Sequence, residues 1–176
     1  MKVLAISASP RVGGNSDVLC DQFLKGAKEA GHDTEKIQIR NQKINPCLAC
    51  YACLKNGVCA IDDDMEEIQQ KMIHAEIIVL SVPVYFYSMN AQMKMVIDRC
   101  ITHYKEMKNK QFYFVVTAAD PNRNAVDETI AGFRGFLCCL PEALEMEIIY
   151  GTGAWDKGDV FKHPAFEQAY EIGNKL

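Results

Sequence analysis

Three stretches of this chain put apolar side chains on both sides of an extended backbone: Lys2–Ser7 (KVLAIS), Glu76–Val82 (EIIVLSV) and Gln111–Ala118 (QFYFVVTA). Strands without a polar face belong to a parallel sheet covered by helices on both sides. The intervening segments carry the matching helical periods. Val18, Leu19, Phe23 and Ala27 recur at helical spacing between Ser16 and Ala30, and Gly31 ends that helix. Asp63 or Asp64, with Glu66 or Glu67 three residues on, predicts a capping box at the start of a second helix. Met89–Met107 predicts a long helix with Met93, Val96, Ile97, Cys100 and Ile101 on one face, and Asp127–Leu140 and Pro164–Lys175 predict two more. Thr34–Ile39 and Glu145–Tyr150 read as outer strands. Strand and helix alternate throughout, so the expectation is a doubly wound α/β domain with five parallel strands.

At 176 residues the chain is one domain, residues 1–176, with a cysteine-rich loop over residues 45–62. A formal charge of −4 and the lack of any Lys or Arg run argue against a nucleic-acid partner. The longest uncharged apolar stretch, Ile77–Tyr87, is too short to span a bilayer and contains Pro83. Met1–Ser9 reads as a strand rather than a signal peptide, so a soluble, cytoplasmic protein is expected. In that compartment thiols stay reduced. Of the eight cysteines, Cys47, Cys50, Cys53 and Cys59 crowd together and read as metal or redox chemistry before disulfides. Cys20 and Cys100 sit on apolar helix faces and read as core, and Cys138-Cys139 as straddling the edge of a buried face. The four histidines have no partners at ligand spacing.

In doubly wound sheets ligands sit beyond the carboxyl ends of the strands. After the first strand stands Ser9-Pro10-Arg11-Val12-Gly13-Gly14-Asn15-Ser16. Two hydroxyls, an amide, a guanidinium and the free N–H groups of a helix start suit a phosphate, and the glycines allow close approach. The same residues also suit an ordinary strand-to-helix turn with an Asn or Ser cap. Neither G-x-x-x-x-G-K-[ST] nor G-x-G-x-x-G is present, which argues against an NTPase and a dinucleotide fingerprint. After the third strand, Pro83-Val84-Tyr85-Phe86-Tyr87-Ser88-Met89-Asn90 offers an apolar wall for a planar ligand, with Asn90 reading its polar edge. Burial of those aromatics by a helix or a second subunit is the alternative. Trp155, after Gly151-x-Gly153, caps either a pocket or a subunit contact.

Ser9-Pro10-Arg11 with Gly14-Asn15-Ser16, and Pro83-Val84-Tyr85-Phe86 leading through Ser88-Met89-Asn90-Ala91-Gln92-Met93-Lys94 to Asp98-Arg99, resemble the flavodoxin-like NAD(P)H-dependent FMN reductases. Within that group, Cys47-x2-Cys50-x2-Cys53-x5-Cys59 followed by Asp62-Asp63-Asp64-Met65 resembles the iron–sulfur flavoproteins. The resemblance covers roughly the first 120 residues and leaves the remainder without a specific motif. It implies a flavodoxin-like sheet in the order 2-1-3-4-5. Ser9, Arg11, Asn15 and Ser16 would hold the FMN phosphate, Pro83, Val84, Tyr85 and Phe86 would line the isoalloxazine, and Thr117, Ala118 and Asp120 would bound its other side.

The C-x2-C-x2-C spacing lets three thiolates reach corners of one 4Fe–4S cluster, with Cys59 closing the set. Zinc and a metal-free thiol loop remain alternatives. The resemblance implies an FMN-dependent oxidoreductase with NAD(P)H as co-substrate, or with ferredoxin as partner if the cluster is present. The alternatives are a metal-free NAD(P)H reductase of quinones, flavins or azo compounds, and a non-catalytic electron carrier or redox sensor. A homodimer or homotetramer sharing Tyr85, Phe86 and Tyr87 is also implied. No protein acid–base residue is expected, because the flavin carries the chemistry.

Overall fold

The computed structural model describes residues 1–176. Its five parallel strands are β1 (Lys2–Ser7), β2 (Asp33–Gln38), β3 (Ile77–Tyr85), β5 (Gln111–Ala118) and β6 (Leu144–Thr152), hydrogen-bonded in the order β2-β1-β3-β5-β6. That is the expected flavodoxin-like order 2-1-3-4-5 once β4 is set aside. Strand β4 (Ser88–Met89) is two residues long, pairs antiparallel with the end of β3, and makes the sheet six-stranded. The helices are α1 (Asn15–Glu29), α2 (Ala52–Asn56), α3 (Met65–His74), α4 (Ala91–Arg99), α5 (Asp127–Leu137) and α6 (Pro164–Asn174).

The two-sided burial read from the apolar runs is realised residue by residue. Along β1, Val3 and Ala5 face a core shared with α1 and α6, while Leu4 and Ile6 face the one beneath α3, α4 and α5. Along β5 the alternation is Tyr113 and Val115 against Phe112, Phe114 and Val116. Each face of each central strand thus contributes apolar area to one of two cores, at roughly 25 cal/mol per Å² removed from water.

The helix expected over Met89–Met107 is shorter than its apolar face. Ser88 and Met89 pair with β3, α4 begins after Asn90, and the chain tightens to a 3-10 turn at Cys100–Thr102. The β-branched pair Ile101-Thr102 is weakly helical and follows a fully buried Arg99 anchored elsewhere. The capping box does not form. Asp64 stands at the N-cap without a side-chain cap, its carboxylate accepting from the Lys43 N–H at 2.6 Å. The Asp63 carboxylate does reach the Met65 N–H, at 3.2 Å, but is held by Arg99. Glu66 turns to His103 and Glu67 to Lys71. Cys20 and Cys100 are core residues as expected, whereas Cys138 and Cys139 are both exposed.

The β3–β4 hairpin has a two-residue tip, and both tip residues take positive φ: Phe86 at 49° and Tyr87 at 62°. That is the turn Asn-Gly serves without strain. Replacing Phe86-Tyr87 by Asn-Gly is expected to raise stability by about 1–2 kcal/mol in a urea titration. An unchanged or lower midpoint would show that the tip carries no strain.

Candidate functional site

A cavity of about 380 Å³ opens at the carboxyl ends of the parallel strands. Ser9, Arg11, Gly14, Asn15 and Ser16 line one end, Pro83, Val84, Tyr85 and Phe86 another, and Thr117, Ala119, Ala154 and Trp155 complete it. Nine of the eleven residues singled out for a flavin are therefore neighbours in space. Ala118 points its side chain into the core and gives its carbonyl to the Ala154 N–H at 3.0 Å. Asp120 lies outside the lining: its carboxylate accepts from the N–H and the amide of Asn122, both at 2.8 Å, which hold its pKa below the ordinary range.

The first end is built around two features. Ser16 is buried, its Oγ has no partner in the protein, and the Ser81 hydroxyl holds the Ser16 carbonyl at 2.8 Å. The first-turn N–H groups of Asn15 and Ser16 likewise meet no acceptor, as at any helix start. Gly14 keeps the loop tight, since a Cβ there would stand 2.5 Å from Ser9 Oγ. Beneath it, the buried Asp17 carboxylate takes the Ser7 hydroxyl at 2.7 Å, Lys36 at 2.6 Å and the Gly13 N–H at 3.2 Å. Burial alone would push that carboxyl up; the Lys36 and Ser7 hydrogen bonds more than reverse it, so it stays ionised and pins the loop. An unpartnered hydroxyl, free N–H groups and the unpaired Arg11 fit a phosphate.

Asn15 acts differently from expectation. Its amide donates to the carbonyls of Ala154 (3.3 Å) and Asp156 (2.8 Å), and its oxygen accepts from the Gly158 N–H (3.0 Å). Its side chain is therefore committed to the loop after β6. Asn90 is buried and donates to the Ala8 carbonyl at 2.6 Å; it is not part of the cavity lining. Trp155, expected to cap either a pocket or a subunit contact, stands in the cavity wall. Ala119, just past the end of β5, and Ala154, which the return of β6 to the sheet edge brings there, were not among the expected residues.

A second cavity, of about 280 Å³, is lined by Cys47, Cys50, Cys53 and Cys59 with Leu48, Ala60, Ile61, Arg99 and Ile101. Ala49 and Tyr51 take positive φ between the cysteines, and the N–H groups of Ala49 and Ile61 approach Cys47 Sγ (3.4 Å) and Cys59 Sγ (3.5 Å). Arg99 donates to Cys59 Sγ at 3.4 Å while bridging Asp63 and the Asn45 carbonyl. No three His, Cys, Asp or Glu side chains converge as a single ion requires. The four thiols share the lining of one largely apolar cavity, with backbone or guanidinium donors close to those of Cys47 and Cys59. The sequence pointed to the cysteines but not to the Arg99–Asp63 pair.

The family model described as NADPH-dependent FMN reductase matches residues 1–142. An iron–sulfur flavoprotein of Methanocaldococcus jannaschii is 44% identical over 99 residues, 56% of this chain and 51% of that protein. One from Archaeoglobus fulgidus is 35% identical over 135 residues, 76% of this chain and 60% of that protein. The chain thus spans about half to three-fifths of the length of these relatives. The structure of an NAD(P)H:quinone oxidoreductase from Methanothermobacter marburgensis superposes with a TM-score of 0.79 at 16% identity, covering 100% of this chain and 96% of that one. On the family match over most of its length, the chain belongs to the NADPH-dependent FMN reductase family.

Proposed function

We propose that the strand-edge cavity binds FMN and that the protein is an NAD(P)H-dependent flavin oxidoreductase passing electrons to a small acceptor. The observation that carries this reading is the pairing of an unpartnered, buried Ser16 hydroxyl at one end with the Pro83–Phe86 apolar wall at the other. When bound, FMN supplies hydride acceptance from a nicotinamide and release of electrons singly or in pairs. The chain's own residues do the positioning. Ser9, Arg11 and Ser16, with the N–H groups of Asn15 and Ser16, hold the phosphate, and Thr117, beside Pro83 in the sheet, and Ala119 extend the lining next to the apolar wall. No helix is long and apolar enough to cross a membrane.

The reading extends to the four cysteines as ligands of a 4Fe–4S cluster, which supplies one-electron exchange with a carrier such as ferredoxin. Arg99 would then donate to the sulfur of one ligand, Cys59. The exposed Tyr85, Phe86 and Tyr87 support assembly into a homodimer or homotetramer. All eight cysteines are free thiols, which suits a reducing, cytoplasmic setting. A metal-free quinone or azo reductase is the second reading, favoured by the lack of converging ligands in the cysteine loop.

Ser16→Ala tests the first reading through two effects of opposite sign. Removing a buried hydroxyl without a partner is expected to leave the flavin-free protein as stable or slightly more so, while losing one charge-assisted bond weakens FMN about ten-fold. Equal FMN affinity in wild type and variant would move the phosphate elsewhere. Iron and acid-labile sulfide assays on anaerobically purified protein decide between the two readings of the cysteines: about four irons per chain support the cluster, and none supports the metal-free reductase.

A further inference from the structure

The chain's single tryptophan, Trp155, stands in the wall of the strand-edge cavity with 72% of its surface exposed. An indole left in water at a cavity mouth is unfavourable until something flat covers it. Its loop is nonetheless rigidly held. Besides the two hydrogen bonds that Asn15 donates and the one it accepts, Asp159 Oδ2 accepts from the N–H groups of Trp155 (2.9 Å) and Asp156 (2.7 Å). The Ala154 and Gly153 N–H groups bond the Ala118 and Asp120 carbonyls, each at 3.0 Å. Because Asn15 is the first residue of α1, the loop is fastened to the helix end whose N–H groups are free.

Lys157 rides on the same loop. Its Cε and Nζ lie 3.3 and 3.5 Å from where a Cβ on Gly13 would stand, so its ammonium rests on the glycine turn of the first loop. Neither Lys157 nor Arg11 takes part in an ion pair of the chain. Arg11 lines the cavity together with the unpartnered Ser16 hydroxyl, and Lys157 lies against the same loop at Gly13. Two cations without a counter-charge at one loop mark where a doubly charged phosphate is expected.

We infer that the loop over residues 153–158 is a second jaw of the site: Trp155 packs against the bound flavin nucleotide, Lys157 faces its phosphate, and Asn15 is the positioning residue that holds both. This rests on the FMN reading above. It adds a consequence, that preference for FMN over riboflavin comes partly from a residue beyond β6, far in sequence from the β1–α1 loop.

The test is a titration of the flavin-free chain, residues 1–176, with FMN and with riboflavin, followed by flavin fluorescence, with circular dichroism as a check of folding. Trp155→Ala is expected to weaken both ligands about ten-fold, and Trp155→Phe to recover most of that loss. Lys157→Ala is expected to weaken FMN roughly three- to ten-fold at low ionic strength and leave riboflavin unchanged. Asn15→Ala is expected to weaken FMN and to shift the emission of Trp155 in the ligand-free protein, reporting the released loop. Wild-type FMN affinity in Trp155→Ala, or equal effects of Lys157→Ala on FMN and riboflavin, overturns the jaw while leaving the FMN reading intact. A folded wild-type chain that takes up neither ligand overturns both.

Discussion

Replacing Arg99 with alanine is expected to lower the unfolding free energy by about 3–5 kcal/mol at neutral pH. Arg99 is the largest side chain wholly buried in the protein, and its guanidinium forks onto both oxygens of Asp63 at 2.8 and 2.9 Å. Both partners are about 2% exposed, so the variant leaves a carboxylate in the interior without its cation. The same guanidinium reaches the Asn45 carbonyl at 2.7 Å and Cys59 Sγ at 3.4 Å, stapling both ends of the cysteine loop to α4. Arg99→Lys keeps a charge but not the fork, and should fall between wild type and alanine.

Acid reports the same pair. Burial opposes ionisation of Asp63, but Arg99 and the N–H groups of Asn45 and Met65 outweigh it and bring the carboxyl from 3.8 down to about 2. A carboxyl depressed in the folded state contributes stability that is complete above its unfolded value and lost as pH falls through its folded one. The gap between wild type and Arg99→Ala should therefore narrow from pH 4 to pH 2, where the wild type loses what the variant never had. Urea titrations across that range check both statements. A neutral-pH loss under about 1 kcal/mol would mean the pair is solvated in solution.

The second large effect runs against helix propensity. Gly173 in α6 and Gly26 in α1 face each other's helices so closely that a Cβ would stand 2.1 Å from the Phe23 carbonyl and 2.2 Å from the Tyr170 carbonyl. Alanine ordinarily stabilises a helix interior over glycine by about 1 kcal/mol. Here the obstructing atoms are backbone, so the helices must separate and part of the core of Val3, Ala5, Phe23 and Ala169 must open. Gly173→Ala is expected to destabilise by about 2–3 kcal/mol or more. Gly135 in α5 is the control: nothing lies within 4 Å of its added Cβ. Gly135→Ala should stabilise by about 0.5–1 kcal/mol, and a shared sign for the two variants in thermal unfolding would refute the close approach.

Elements whose evidence is local were legible before any coordinates. KVLAIS, EIIVLSV and QFYFVVTA announce strands buried on both faces because burial acts on each side chain in turn. The β1–α1 loop shows by its own composition the hydroxyl, guanidinium and glycine residues that line one end of the cavity. Where neighbours in space compete for a residue, the local reading gives way. Asp63 had the spacing of a cap, but the buried Arg99, 36 positions away, has the stronger claim on its carboxylate. Asn15 had the chemistry of a phosphate ligand, yet main-chain groups 139 to 143 residues distant take its amide.

The sequence by itself determined the layered α/β architecture, the strand edge at which to look, the family and the four cysteines, since each rests on periodicity or on motifs continuous along the chain. Only the tertiary structure decided that Trp155 and Lys157 meet the first loop, that Arg99 reaches Cys59, and that α1 and α6 touch through two glycines. Those are packing and long-range electrostatic facts. Their energies depend on distances between segments remote in sequence, and no local pattern encodes such a distance.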